Sequence, residues 1–475
     1  MAQAPTGIGK TIGTLFPLLK ACPEQKLDKI FYLTAKTSGR KLALDALARI
    51  KDTKQAPPLR VLELTARDKA CEHPDKACHG ESCPLAKGFY DRLPPARKAA
   101  LALGIEGLVM LDRNSLRDIA REHQVCPYYL GQDLVRWCDI VVGDYNHFFD
   151  LNALLHGLTL THEWQVSVLV DEAHNLVERA RKMYTAELDQ ARFKIMCRSA
   201  PAALTTSLNR LNRCWNALQR NQRCVYQTFN ALPDKFMTAL QQVTNAITDY
   251  LTENPTGIDG ELHRFYFDAL HFSRVGELFD DKHFVFDITR ITGDSGQISK
   301  KSRINAVLCL RNIIPALFLS QRYSAARSTT LFSATLSPWH FYRDPLGLPQ
   351  DTACVNVESP FKAEQLRVRI VSDISTRYQH RENSLSPIID LIFRQYDKKP
   401  GNYLAFFSSF DYLQRVTLLF RKRYPDIPIW EQTRRMEEAE QDAFLERFTY
   451  TGQGIGFAVL GGKVDPCVKT IINRV

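Results

Sequence analysis

The chain has 475 residues, 45% hydrophobic and 24% charged, with no low-complexity tract, a globular composition long enough for two to four domains. Its formal net charge of +10 favours a polyanionic partner, because each phosphate neutralised releases condensed counterions. No charged and apolar leader opens the sequence and no apolar run reaches ~18 residues, so neither export nor a membrane span is expected; the 12 cysteines are read in a reducing, cytoplasmic compartment, where clustered thiols are metal-ligand candidates.

The first stretch is Ala4-Pro5-Thr6-Gly7-Ile8-Gly9-Lys10-Thr11. Gly7 and Gly9 let the backbone curl so that its N–H groups face phosphate oxygens at a helix N-terminus. Lys10 would neutralise the β- and γ-phosphates, and the Thr11 hydroxyl would ligate Mg2+. Ala4 stands where the strict phosphate-loop pattern has glycine, and an ordinary strand-to-helix turn is the competing reading. A helix is expected over 10–20, a buried strand from Lys29 to Leu33 ending in Thr34-Ala35-Lys36-Thr37, an amphipathic helix over 39–50, and a strand from Val61 to Leu64.

At Cys71 the periodicity stops. Cys71, Cys78 and Cys83 lie in loop-like sequence and Cys126 follows, with gaps of six, four and forty-two residues. Four thiolates can hold a [4Fe–4S] cluster or a zinc ion. The spacing is unlike the paired ligands of structural zinc sites, yet His73 and His79 keep zinc open. Cys138 is a rival fourth ligand, though its place before the apolar Ile140-Val141-Val142 run suits a buried side chain. Short helical patterns fill the interval between Cys83 and Cys126.

A strand over Asp139–Gly143 precedes Asp144-Tyr145-Asn146-His147. Next comes the apolar run Val166 to Val170, read as a buried strand that places Asp171-Glu172-Ala173-His174 at its C-terminal end, where α/β sheets carry their chemistry. Asp171 would hold Mg2+, Glu172 would orient and deprotonate the water attacking the γ-phosphorus, and His174 is grouped with them. A solvated acidic turn is the plain alternative. From about 185 to 300 the sequence turns helical, with seams at Leu204, Leu208, Leu211, Trp215, Leu218 and at Phe236, Leu240, Val243, Ile247, Tyr250. The aromatic residues Phe265, Tyr266, Phe267 and Phe272 read as core. A helix is expected over 304–322 and a strand over Thr329–Phe332 ending in Ser333-Ala334-Thr335. Ser333 and Thr335 are candidates for coupling γ-phosphate loss to a second α/β unit, whose strands are expected at 366–371, 402–407, 427–430 and 456–460.

The order of these motifs, with Tyr-Leu-Thr-Ala-Lys-Thr (32–37), Ser-Ala-Thr-Leu and Asn-Tyr-Leu-Ala-Phe-Phe-Ser-Ser (402–409), resembles the iron–sulfur helicases of superfamily 2, the DinG and XPD branch. Cys-Pro-Leu-Ala-Lys-Gly-Phe-Tyr-Asp-Arg (83–92) and Gly-Asp-Tyr-Asn (143–146) look most like its bacterial DinG-like members. The resemblance implies an α/β architecture of two RecA-like P-loop motor domains, the second incomplete. The first motor domain (1–66, 131–184 and 304–345) would be interrupted by an iron–sulfur domain (67–130) and a helical Arch (185–303), and 346–475 would be the second. It assigns Cys71, Cys78, Cys83 and Cys126 to a [4Fe–4S] cluster and matches Thr34 and Lys36 to a motif touching the DNA backbone.

The activity implied is ATP-driven 5′-to-3′ translocation on single-stranded DNA with duplex unwinding at forks, in DNA repair or replication, by a monomer. Two departures qualify it. The chain opens directly on the ATP loop, without the upstream adenine-recognising motif, and Lys463-Val464-Asp465-Pro466-Cys467 does not continue motif V into an arginine-bearing Gln-x-x-Gly-Arg-x-x-Arg. A fragment with little ATPase of its own is therefore expected, since such an arginine is worth ~10³–10⁵ in rate. The rival readings are a DEAH-type RNA helicase, which has no need of the four cysteines, and a non-cycling iron–sulfur protein that binds nucleic acid.

Overall fold

The computed structural model describes residues 1–51, 58–76, 78–103, 109–222, 224–254, 260–291, 305–365 and 367–461. The chain divides into two compact units, one of Met1–Gln3 with Thr11–Asn356, the other of Ala4–Lys10 with Val357–Val475.

The strands, in chain order, are β1 (Ala2–Gln3), β2 (Lys29–Thr34), β3 (Arg60–Glu63), β4 (Val109–Leu111), β5 (Ile140–Gly143), β6 (Val166–Asp171), β7 (Ala186–Asp189), β8 (Tyr226–Phe229), β9 (Phe284–Ile291), β10 (Asn305–Asn312), β11 (Ser328–Ser333), β12 (Val355–Asn356), β13 (Asn402–Phe407), β14 (Ile429–Glu431) and β15 (Gly454–Val459). The first unit is built on an eight-stranded sheet in the order β12-β1-β11-β6-β2-β5-β3-β4. Every pairing in it is parallel. The parallel α/β architecture expected from the sequence is the one observed.

Strands β2, β5 and β6 are buried at every residue, which explains why they read as mostly apolar runs rather than alternating ones. Successive side chains point to opposite faces. Ile30, Tyr32, Val61, Ile140, Val142, Leu169 and Phe332 form one core with Leu15 and with Ala43, Ala46, Leu47 and Ile50 of the helix Thr37–Lys51. Phe31, Leu33, Leu62, Val141, Val168 and Val170 face the other core. The helix after the glycine loop runs from Lys10 to Gln25, longer than its apolar period indicated.

Three elements differ from expectation. Val109–Leu111, inside the cysteine-bearing interval read as helical, is a strand and forms the sheet's outer edge against β3. The region 185–300 is not purely helical, because β7, β10, β9 and β8 make an antiparallel sheet beneath its helices. Residues expected as one helix over 304–322 are instead the strand β10 and a helix Ala316–Ser324. The run Ala306 to Leu310 is apolar without a break, so its period cannot separate a buried strand from a buried helix. Pairing with β9 along all eight residues decides it.

The two helical seams lie on the helices Thr205–Asn221 and Asp234–Glu253. They close over Trp215, Phe193, Phe236, Phe265 and Phe272, whose rings make a chain of tilted and edge contacts. Phe265 and Phe272 are core as expected, whereas Phe267 is exposed.

The second unit holds the parallel sheet β13-β15-β14, with Phe407, Leu413, Val416, Phe420 and Phe457 on one face and Trp430, Phe444 and Phe448 on the other. The strand expected at 366–371 is absent from its described residues 367–371, where Val368 and Ile370 are exposed; residue 366 lies outside the described residues, as do Lys463 to Cys467. No described helix is long and apolar enough to cross a membrane.

His147 sits beyond β5 against Gly143, and burial pushes its pKa down to about 4 despite the neighbouring Asp144. A histidine kept neutral in the fold binds fewer protons than in the unfolded chain between the two pKa values, so stability falls as pH drops from ~6.5 toward about 4. His147→Gln should flatten the dependence of urea-unfolding stability on pH in that window. An unchanged slope would show that the imidazole is not responsible.

Candidate functional site

The loop Ala4–Lys10, described with the second unit, turns through Gly7 at φ 89° and Gly9 at φ 83°, the left-handed region that favours glycine. Lys10 donates through Nζ to the carbonyls of Ala4 and Pro5, both at 2.9 Å. The ammonium thus sits inside the curl, at the start of a helix.

In the first unit, β6 delivers Asp171 to the C-terminal edge of the sheet, beside β2 and β11. Asp171 is 6% exposed, and its Oδ2 accepts from the Tyr32 hydroxyl at 2.9 Å. The Tyr32 oxygen lies 3.5 Å from Thr11 Oγ1. Two hard oxygen groups, Thr11 and Asp171, therefore converge on one phenol. Such oxygens suit Mg2+, which takes one or two carboxylates together with substrate phosphates rather than a cage of protein ligands.

The chain reverses immediately after Asp171. Glu172 has φ 53° and ψ 43°, a left-handed conformation strained for a residue with a side chain. Two contacts hold it. Its N–H donates to Asp171 Oδ1 at 2.8 Å, and the Tyr145 hydroxyl donates to the carbonyls of Asp171 and Glu172. Burial pushes both phenols, Tyr32 and Tyr145, well above their ordinary pKa, with the Asp171 charge adding to the shift. They remain protonated donors.

The turn presents the Glu172 carboxylate next to the end of β11. Ser333 Oγ lies 2.7 Å from His174 Nδ1 and 3.3 Å from Glu172 Oε2. When Ser333 donates to Glu172, it accepts from His174. Thr335 is exposed, and its N–H donates to Ser333 Oγ at 3.4 Å. The arrangement can accept a proton at Glu172 and pass a change at that carboxylate to β11 and the segment after it.

At the end of β2, Lys36 is exposed but Thr34 is 1% exposed. The Thr34 hydroxyl is buried without a hydrogen-bond partner, and a Cβ at Gly39 would stand 2.3 Å from it. Only glycine allows the following helix to approach this closely.

Cys71, Cys78, Cys83 and Cys126 line one cavity of about 240 Å³, with His73, His79, Phe89 and Tyr129 around them. Cys138 is not among its walls. It is fully buried, its carbonyl accepts from Lys29 at 2.7 Å, and burial raises its thiol to about 12. Among the described residues no three His, Cys, Asp or Glu side chains converge on a point where a single ion would sit.

Of the residues singled out from the motifs, the structure brings Thr11 and Asp171 together at Tyr32, places Glu172, His174 and Ser333 side by side, and sets the four cysteines around one cavity. Tyr32 and Tyr145 stood within quoted motifs but were given no role. Their signal was present, since a tyrosine in a fully buried strand or turn must find a partner for its hydroxyl.

Residues 38–193 match the DEAD_2 family model and residues 392–468 match the model described as a helicase C-terminal domain. The regulator of telomere elongation helicase 1 homolog of Anopheles gambiae is 27% identical over 142 residues, covering 27% of this chain and 14% of that protein. The ATP-dependent DNA helicase CHL1 of Coccidioides immitis is 20% identical over 432 residues, covering 79% of this chain and 49% of that protein. The chain thus spans half or less of the length of these relatives. Among solved structures, S. tokodaii Xpd4 superposes with a TM-score of 0.51 at 13% identity, covering 100% of this chain and 82% of that one. An XPD helicase gives 0.50 at 16%, covering 98% and 77%. At these identities the structures speak for the fold alone.

Tyr145→Phe removes the phenolic donor at the Asp171 carbonyl, while the Glu172 carbonyl keeps its bonds from Asn175, and should lower stability by about 1–3 kcal/mol, measured by urea unfolding. A loss below ~0.3 kcal/mol would show that the turn holds itself.

Proposed function

We propose that this chain, an XPD/DinG-like member of helicase superfamily 2 by its two domain matches, is an ATP-driven motor segment that translocates 5′ to 3′ on single-stranded DNA and separates duplex at forks in repair or replication. It would act as a monomer in the cytoplasm. The observation that carries the reading is the end of β6, where Asp171 and Thr11 meet at Tyr32 while Glu172 is turned outward beside His174 and Ser333.

In this reading the backbone around Gly7 and Gly9 cradles the phosphates and Lys10 leaves its loop carbonyls for the β- and γ-oxygens. Thr11 and Asp171 would hold Mg2+, which when bound neutralises charge on the transferring phosphoryl group. Glu172 orients a water in line with the γ-phosphorus and takes its proton as the new P–O bond forms and the bond to the β-bridging oxygen breaks. Loss of the γ-phosphate changes the charge facing Glu172, and Ser333 with Thr335 would pass that change on. Lys36 would contact the DNA backbone directly. Thr34 would join it once its hydroxyl, unpartnered in the interior, is released.

The four-cysteine cavity is proposed as a [4Fe–4S] site. Zinc draws its four ligands to ~2.0–2.3 Å from one point, whereas in a cluster each thiolate takes its own iron and the sulfurs stand apart around a cavity. The four thiols lining one cavity are what supports the proposal. Bound there, the cluster would tie the loop after Cys71 to the helix that begins after Cys126.

Two measurements test this reading. Lys10→Ala should weaken binding of a fluorescent ATP analogue at least ~10-fold and leave single-stranded DNA affinity unchanged, while Glu172→Gln should keep nucleotide binding and lose ~10²–10⁴ in turnover. Wild-type chain that binds no nucleotide would overturn the motor reading. Anaerobically purified protein should be coloured and lose its visible absorbance on Cys83→Ser; a colourless sample containing zinc would overturn the cluster.

A further inference from the structure

Tyr32 opens the stretch Tyr-Leu-Thr-Ala-Lys-Thr, but the motif reading gave it no role. It lies in the middle of the sheet, 0% exposed, with its ring edge-on to Phe332 at 6.1 Å between centroids. That contact accounts for the ring and would be made equally by phenylalanine. It does not account for the hydroxyl, which lies between the two side chains that a bound Mg2+ would need, 2.9 Å from Asp171 Oδ2 and 3.5 Å from Thr11 Oγ1.

The proton inventory fixes the directions. A phenol has one proton, and the carboxylate can only accept, so Tyr32 donates to Asp171. Thr11 Oγ1, at 3.5 Å, is the second acceptor within reach of the same hydroxyl, so one phenolic proton is held between the two side chains. Meanwhile the bond to Oδ2 restricts rotation of the Asp171 carboxylate, whose Oδ1 already accepts from the Glu172 N–H.

We propose that Tyr32 is a positioning residue for the metal-bound nucleotide, its hydroxyl orienting Thr11 and Asp171 together as outer partner of both. This rests on the nucleotide site proposed above and adds to it the group that sets the site's response to Mg2+. Outer partners of this kind typically contribute 10–100-fold to metal affinity.

The test is Mg2+ titration of fluorescent ATP-analogue binding by the full chain, with an EDTA arm and a thermal melt without nucleotide. Tyr32→Phe keeps the ring and its contact with Phe332. It should raise the Mg2+ concentration at half-saturation at least ~10-fold, with affinity in EDTA unchanged. A purely structural hydroxyl would shift the melt and leave the Mg2+ titration alone. In an Asp171→Asn background the same change should have a smaller effect, because coupled groups are not additive. A Tyr32→Phe titration that overlays the wild type, or an equal shift in both backgrounds, overturns the proposal while leaving the nucleotide site standing. Wild-type chain without any Mg2+-dependent binding overturns both.

Discussion

The strand that ends in Asp171 is buried along its whole length, so every polar group where it stops must be satisfied from inside the protein. That requirement shapes the site. Asp171 receives Tyr32 and the Glu172 N–H, the carbonyls at the turn receive Tyr145, and Glu172 reaches Ser333. These partners come from β2, β11 and the segment after β5, the strands that lie nearest β6 in the sheet order. Parallel pairing makes this possible, because it brings the C-terminal ends of neighbouring strands to one edge.

Much of this was legible in the sequence, for a physical reason. Glycines at left-handed positions, a lysine at a helix start and two acids after an apolar run are local signals, each contained within a few residues. β2, β5 and β6 were legible too, because a strand covered on both faces is written as a short, mostly apolar run. β10 failed by the same rule, since Ala306 to Leu310 would look alike in a buried helix. The sheet of β7 to β10 escaped because its pairings are non-local, β7 with β10 across more than a hundred residues of chain, whereas the helices above it announce themselves every few residues. The bridging tyrosines showed that a hydroxyl needed a partner, but not which partner, for a similar reason. Tyr32 looks like another core aromatic until Thr11 and Asp171, twenty-one and 139 positions away, are placed beside it.

The cysteines show the opposite balance. Spacing could not choose between Cys126 and Cys138, nor between cluster and zinc. Three-dimensional placement separates the first pair outright: Cys126 lines the cavity, while Cys138 is buried under the strand edge with its carbonyl bound to Lys29. Arg40 and Glu63 show how the cavity's neighbourhood is tied down. The nearly buried guanidinium bonds Glu63 at 3.2 Å, and the other carboxylate oxygen accepts from the Arg113 N–H, so β3 is linked both to the helix after β2 and to the start of the helix Arg113–Glu122.

That linkage extends further at β4. The outermost strand of the main sheet is contributed from between Cys83 and Cys126 and hydrogen-bonds to β3. The cysteine-bearing excursion is therefore stitched into the sheet at its midpoint as well as at its two ends. A segment fastened at three places shares one continuous ladder of backbone hydrogen bonds with the strands whose far edge carries Asp171, a girder rather than a hinge.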